Sequence, residues 1–237
     1  MKTTHATASA ARARLGQALA DLRQIRTTLT TAIQDAHRSV ADDQGLSEQG
    51  KTTRVHTLTA EARRDAERQV DALMSRVDDD ADTVRAYVAE HRPQPQPGME
   101  AIMARQTAWR RTEALLAAGR TPRAVIASTG DVEALLAMRE EFPTWIQTQS
   151  PTPGGMDALT FEEPDATQII RAVDERLAEL TSGDQRAAII FDRELAVTLA
   201  ELPPMVEHTR LTAAGAPQSG SMGLDAAIAS RFAGQHA

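Results

Sequence analysis

Apolar residues recur at helical spacing along most of the chain. In a first helix, predicted over residues 9–41, one series of positions lies seven residues apart: Leu15, Leu22, Leu29 and Ala36. A second series has the same spacing: Leu19, Arg26, Ile33 and Val40. Two such interleaved series form the apolar seam of a coiled coil, with Arg26 as a polar interruption. The pattern therefore predicts one long helix with a single buried stripe.

A second long helix is predicted over residues 47–91, after a break at residues 42–45. Ser47 is a suitable N-cap for it. Its stripe comprises Val55, Leu58, Ala62, Ala66, Val70, Leu73, Val77, Ala81, Val84 and Val88. The mean step of about 3.67 residues indicates a nearly straight or slightly right-handed pairing. Because the connection is short and contains Gly45, we expect the two helices to form an antiparallel hairpin over residues 1–92.

A proline-rich spacer, residues 93–98, marks the first predicted boundary. The helical segment after it, 99–149, divides into three helices: one ending at Gly119, a short one beginning at Thr121-Pro122, and one capped by Asp131. Pro143 is expected to kink or divide the third helix.

A second linker is predicted at residues 150–164, followed by a helical segment over 165–211. That segment contains one helix over 165–181, with Gly183 as its stop, and another over 184–202 that ends at Pro203-Pro204. Residues 212–237 are predicted to be a mobile tail with a short amphipathic patch of Leu224, Ile228 and Phe232, which lie four residues apart. The patch has the pattern of a partner-docking peptide, or of a segment that folds back on its own chain. The predicted fold class is all-α: a long coiled-coil-like hairpin followed by a compact helical region.

Composition supports this fold class and narrows the chemistry. The 237 residues include 43 alanines, seven aromatic residues and no cysteine. Alanine favours helices, whereas β-sandwiches and barrels need β-branched and aromatic faces. Disulfide scaffolds, cysteine-based zinc sites and cysteine nucleophiles are excluded. No apolar run is long enough to cross a membrane and no secretory signal is present, so we expect a cytoplasmic protein without a membrane partner.

Charge is unevenly distributed along the chain. The net charge is −7, and residues 151–237 hold six basic and 13 acidic side chains, which accounts for the whole excess. Nucleic acid usually selects a basic surface, so it is not expected to be the main partner.

Residues 45–52 match the phosphate-loop pattern, with Gly45, Gly50, Lys51 and Thr52 at the required positions. A phosphate loop must follow a buried strand, but an amphipathic helix ending in Ala41-Asp42-Asp43 precedes this match. A phosphate-loop nucleotide hydrolase using residues 45–52 is therefore the alternative hypothesis, tested by ATP binding and its loss in Lys51→Ala.

No cofactor or metal site is predicted. The carboxylates of Asp78, Asp79, Asp80 and Asp82 fan around a helix, and only the 78/82 pair shares a face. The six histidines do not have the spacing of metal ligands, and the adjacent glutamates at 140–141 and 162–163 lack a nucleophile–base pair.

One local group combines basic and aromatic residues: Trp109 with Arg105, Arg110, Arg111, Arg120 and Arg123. Such a group can stack on or grip nucleic acid. The favoured interpretation is that Trp109 packs inward while the arginines face water. A nucleic-acid-associated helical adaptor is the third hypothesis, and it requires DNA retention at low salt.

Two stretches resemble helical proteins encoded among the virion-structure genes of actinobacterial phages and prophages. The first is Gly45-Leu46-Ser47-Glu48-Gln49-Gly50-Lys51 with the Arg/Ala/Glu-rich helix after it. The second is residues 124–146, in which a short helix, an Asp-capped helix and Phe142-Pro143 follow in order. The resemblance covers residues 10–200 and implies an assembly or virion-structural role without catalytic residues.

The predicted function is a non-enzymatic scaffold, minor capsid or connector-associated protein of a phage-type particle, acting through helix–helix association with copies of itself or other particle proteins. Its expected location is the cytoplasm of a bacterial host, and a virion is the second location that this role allows. The candidate interaction residues are Leu15, Leu19, Leu22, Leu29, Ile33, Val55, Leu58, Leu73, Val77, Leu224, Ile228 and Phe232.

Overall fold

The computed structural model describes residues 3–41, 43–149 and 166–215, and each of its elements is an α-helix. In chain order the helices are α1 (His5–Ala41), α2 (Glu48–His91), α3 (Met99–Ala117), α4 (Pro122–Ser128), α5 (Val132–Gln149), α6 (Ala166–Leu180) and α7 (Gly183–Ala214). The predicted all-α class is therefore confirmed. The predicted linker at 150–164 and the patch of Leu224, Ile228 and Phe232 lie outside the described residues.

The chain divides into two compact units. Unit 1 comprises Met1–Arg12 and Ala81–Val197, and unit 2 comprises Ala13–Asp80 and Thr198–Ala237. Helices α1, α2 and α7 each contribute residues to both units.

The core of unit 1 lies between α3, α4, α5 and α6. Phe142 is fully buried there, together with Leu135 on α5 and Val173 and Leu177 on α6. The Trp109 ring meets Phe142 edge-on, with ring centroids 5.5 Å apart. The amphipathic patterns of these helices thus converge on one apolar centre.

Unit 2 contains the larger parts of the two long predicted stripes. Leu22 and Leu29 on α1 and Val70 on α2 are fully buried. Ala36 and Val40 form a cluster with Val55 near the α1–α2 connection. At the opposite end, the single N–H of Arg14 Nε is shared between the two carboxylate oxygens of Asp80, at 3.0 Å from Oδ2 and 3.1 Å from Oδ1. These contacts follow the order that an antiparallel hairpin requires, and the full-length hairpin stays a prediction.

Several helix ends lie at the capping residues predicted from the sequence. Ser47 Oγ accepts from Gly50 N at 3.1 Å at the start of α2. Thr121 Oγ1 accepts from Ala124 N at 3.3 Å, and Asp131 Oδ1 accepts from Glu133 N at 3.1 Å. After α3, Gly119 has φ +85°, a conformation that glycine adopts without the cost of a Cβ. The predicted caps of α2, α4 and α5 are therefore confirmed.

The first helix begins earlier than predicted. Thr4 Oγ1 accepts from Thr7 N at 3.3 Å and its carbonyl accepts from Ala8 N at 3.0 Å, so α1 starts at His5 rather than near Ser9. Threonine is a common N-cap residue, but the spacing of apolar residues does not indicate where a cap lies.

Pro143 does not divide its helix, and the prediction that a helix ends at Pro203-Pro204 was wrong. Helix α5 continues through Pro143, and α7 continues through Pro203 and Pro204 to Ala214. Each proline removes one backbone hydrogen bond, but buried residues on both sides hold the helix: Phe142 and Ile146 in α5, and Leu202, Val206 and Thr209 in α7. Tertiary packing therefore outweighs the local cost.

The predicted start of the tail at Thr212 was also wrong. Helix α7 includes Thr212 and Ala213, and both residues are buried. Arg63 Nη1 donates to the carbonyls of both residues at 2.8 Å, which satisfies acceptors at the end of the helix.

Candidate functional site

The phosphate-loop match at residues 45–52 begins in the connection between α1 and α2 and extends into the first turn of α2. Lys51 Nζ donates to the Ala41 carbonyl at 3.0 Å and lies 3.4 Å from Glu48 Oε1. Thr52 Oγ1 donates to the Glu48 carbonyl at 3.0 Å. The element before the match is helix α1, where a phosphate loop has a strand. These contacts make the segment a capped helix start whose lysine and threonine bind the protein backbone.

A shallow concavity of about 470 Å³ lies along the same turn of α2. Its lining is Leu46, Ser47, Gln49, Gly50, Thr53, Arg54 and Thr57. All of these residues come from one short stretch of chain, so the concavity is one side of a helix rather than an enclosed site.

The acidic run on α2 is divided between different contacts. Asp80 is buried and bound by Arg14, whose pKa is raised by this hydrogen bond and by the charge of Asp80. Asp82 accepts from Arg85 at 2.8 Å on the surface. Within residues 3–41, 43–149 and 166–215, no three histidine or acidic residues are grouped closely enough to hold a metal ion.

Trp109 is half-buried against Phe142, which agrees with its predicted inward orientation. Of the neighbouring arginines, four are exposed: Arg110, Arg111, Arg120 and Arg123. The Trp109 side chain is therefore used in part by the core of unit 1, which leaves less of it available for base stacking.

Unit 1 contains an ion cluster whose central pair, Arg92 and Asp174, is buried. Arg92 Nη2 and Arg139 Nε both donate to Asp174 Oδ1, at 2.7 and 2.9 Å, and Arg92 also binds Asp192. The side chains of Arg92 and Asp174 are each only 11% exposed. Burial lowers the pKa of the Arg92 guanidinium, and the charge of Asp174 opposes that shift. Every charge in the cluster has a partner, so the cluster connects α5, α6 and α7 to Arg92, the residue that follows α2.

An aromatic cluster lies close by in the same unit. Tyr87 is fully buried, with ring centroids 4.5 Å from His91, 5.9 Å from His5 and 5.6 Å from Phe191. Its hydroxyl donates to Asp184 Oδ1 at 2.8 Å. Burial first, and then the hydrogen bond and the charge of Asp184, raises the pKa of the Tyr87 phenol above its ordinary value.

Tyr87 is the single tyrosine of the chain, so its titration can be followed directly by phenolate absorbance. We expect no phenolate near pH 10, where an exposed tyrosine is half-ionised. Because the folded state favours the neutral phenol, this contribution to stability is complete below about pH 10 and is lost as the pH rises above it. Urea unfolding at pH 7 and pH 10.5 should show a decrease in stability for the unmodified protein that is smaller in Tyr87→Phe. Ordinary titration near pH 10 in the folded protein would contradict the burial of this group.

The predicted interaction residues occupy different environments. Six of them are buried in unit 2: Leu15, Leu22, Leu29, Val55, Leu73 and Val77. Leu19 and Ile33 are half-buried. Leu58, placed on the predicted stripe, is 47% exposed, and the neighbouring Thr59 is buried instead. The stripes are therefore largely occupied within the chain itself.

The first turn of α3 carries an apolar surface that sequence reasoning missed. Met99 is 72% exposed, Met103 60% and Ile102 40%. Spaced at i, i+3 and i+4, these three side chains share one helix side. We call them the α3 patch. On a helical wheel Met99 and Met103 lie away from Trp109, Thr112 and Leu116, the residues of α3 that face the core, whereas Ile102 lies at the edge of the core side, seven residues before Trp109. The sequence therefore indicated the exposure of the two methionines and not that of Ile102.

Comparison with known proteins gives no matching family model, no matching curated protein and no matching solved structure. None of the described helices combines the length and the apolar character needed to cross a membrane.

Proposed function

We propose that this chain is a non-enzymatic structural or assembly component of a phage-type particle, such as a scaffold, minor capsid or connector-associated protein. It acts through helix–helix association. The observation that carries the proposal is the α3 patch. Soluble proteins commonly expose single apolar side chains, whereas adjacent exposed ones mark interaction surfaces.

The stripes of α1 and α2 support the proposal in a different way. Because most of the apolar side chains on these stripes are buried within unit 2, the stripes leave little apolar surface for partners. Association then depends on side chains outside the stripes. The resemblance to helical virion-structure proteins supplies the biological context, a protein assembled in a bacterial cytoplasm and built into, or used to build, a particle.

The α3 patch gives the proposal a direct test. Replacing Met99, Ile102 and Met103 together by glutamine removes apolar surface while keeping helix-compatible side chains. We expect light scattering to show concentration-dependent association of the unmodified protein and a smaller mass for this triple variant at the same concentration.

Val197→Gln is the matched control, because Val197 is a comparably exposed apolar residue at 56% that lies outside the patch. It should associate as the unmodified protein does. Circular dichroism should give equal helicity for all three proteins. Equal association of the triple variant and the unmodified protein would refute the role of the patch.

A further inference from the structure

We propose that the α3 patch binds the apolar side of residues 224–232 of a neighbouring copy of this chain. The inference rests on the proposed function, since it names the partner through which assembly occurs. The patch belongs to unit 1, and residues 224–232 lie outside the described residues.

The size of the patch limits its occupant. Three partly exposed side chains over little more than one helical turn offer far less than the ~800 Å² that each partner buries in a standard stable interface. A broad helical face of another protein would leave much of its own apolar surface uncovered. A short segment with about three apolar side chains matches the patch in extent.

Residues 224–232 have this composition. In a helical conformation Leu224, Ile228 and Phe232, four residues apart, share one side. Methionine side chains adapt to irregular surfaces and make favourable contacts with aromatic rings, so Met99 and Met103 suit Phe232 in particular. The occupant is therefore chemically matched to the patch.

Charge fixes the direction of the bound segment. Arg110 is exposed and lies seven residues after Met103, on the same side of α3. Asp225 directly follows Leu224. An antiparallel arrangement places Phe232 near Met99, Ile228 near Met103 and Asp225 within reach of the long Arg110 side chain. The parallel arrangement would place Asp225 at the apolar end of the patch.

A contact between two different surfaces of the same chain is heterologous. Each copy that donates its 224–232 segment keeps a vacant patch, and each copy that accepts one keeps a free segment. Repetition closes into a ring or extends as a filament, depending on the rotation between copies. Such growth from a weak single contact suits a particle component.

The absence of cysteine allows a clean cross-linking test on the full-length chain. Met103→Cys and Ile228→Cys are prepared as separate proteins, one carrying a size tag, then mixed and mildly oxidised. We expect a disulfide-linked heterodimer on a non-reducing gel. The matched control replaces Ile228→Cys by Ser230→Cys, two residues along and on the opposite side of a helical segment, and should give at least fivefold less heterodimer.

A charge exchange tests the direction. Arg110→Asp in the first protein or Asp225→Arg in the second should lower the heterodimer yield about two- to fivefold, as expected for an exposed ion pair. Both changes together should restore it. Equal yields with Ile228→Cys and Ser230→Cys would overturn the proposal.

The source of the segment is tested with Met103→Cys and Ile228→Cys in one chain. This double variant is oxidised at high dilution. If it gives only an internally linked monomer, and the mixing experiment gives no heterodimer, the assignment of the segment to a neighbouring copy is overturned. Sedimentation of the unmodified protein separates the two claims. Oligomers without this heterodimer overturn the contact and leave the proposed function standing, whereas a monomer at all concentrations without heterodimer overturns both.

Discussion

Replacing Leu22 and Leu29 together by aspartate is expected to unfold the α1–α2 part of unit 2. Both leucines are essentially inaccessible to solvent, at 0% and 1% exposure. Each substitution removes a buried apolar side chain and introduces a carboxylate without a partner, and each of these effects costs several kcal/mol. Two such sites together approach or exceed the ~5–15 kcal/mol of stability typical of a whole domain. Circular dichroism should show a large loss of helicity at 25 °C.

The matched control for this double change is Gln24→Asp with Thr31→Asp. These positions lie on the same helix with the same seven-residue spacing, and both are exposed. Helicity and the urea midpoint should stay close to those of the unmodified protein. Cooperative unfolding of the Leu22/Leu29 variant at the unmodified midpoint would show that the stripe does not hold this part of the chain together.

Asp174→Ala is expected to destabilise the protein by about 3–5 kcal/mol, the range for removing one member of a buried ion pair. The change leaves the Arg92 guanidinium buried with Asp192 as its remaining carboxylate partner in the cluster, and it removes the acceptor of Arg139. Urea unfolding followed by circular dichroism measures the loss.

Glu175→Ala is the control on the next residue of α6. Glu175 is 47% exposed and pairs with Arg171 and Arg193 on the surface, so its removal should cost less than about 1 kcal/mol. Replacing the central pair by apolar residues, with Arg92→Met and Asp174→Leu together, should recover much of the loss. Similar effects of Asp174→Ala and Glu175→Ala would mean that the cluster is not a buried network in solution.

Features fixed by neighbouring residues were predictable from the sequence. The caps at Ser47, Thr121 and Asp131 each act on an amide two or three residues away, so a short window contains all of the relevant physics. Helix periodicity likewise identified most of the buried side chains of α1 and α2. These regularities gave the fold class and most of the helix bounds.

Features that depend on distant residues were not predictable in this way. Arg92 finds its acidic partners 82 and 100 residues further along the chain, and no local pattern links them. Pro203 and Pro204 would end an isolated helix, but residues buried after them carry α7 onward to Ala214. The rule that proline ends a helix gives the local free-energy cost correctly. It does not include the tertiary packing that outweighs this cost in α7.

The candidate sites show the same distinction. The sequence of residues 45–52 fits the phosphate-loop pattern, but the function of that motif depends on a strand before it. Here the preceding element is the helix α1. In the α3 patch, Met99 and Met103 lie away from the side of α3 that carries Trp109, so their exposure follows from helical spacing. Ile102 lies seven residues before Trp109 on the same side, so its exposure does not follow from that spacing.

The central claim, that this chain assembles through its helices, is tested most directly by sedimentation velocity of the unmodified full-length protein over a concentration series. The account predicts a sedimentation coefficient that rises with concentration, or a defined oligomer already present at the lowest concentration. A single species of monomeric mass at every concentration would contradict self-assembly.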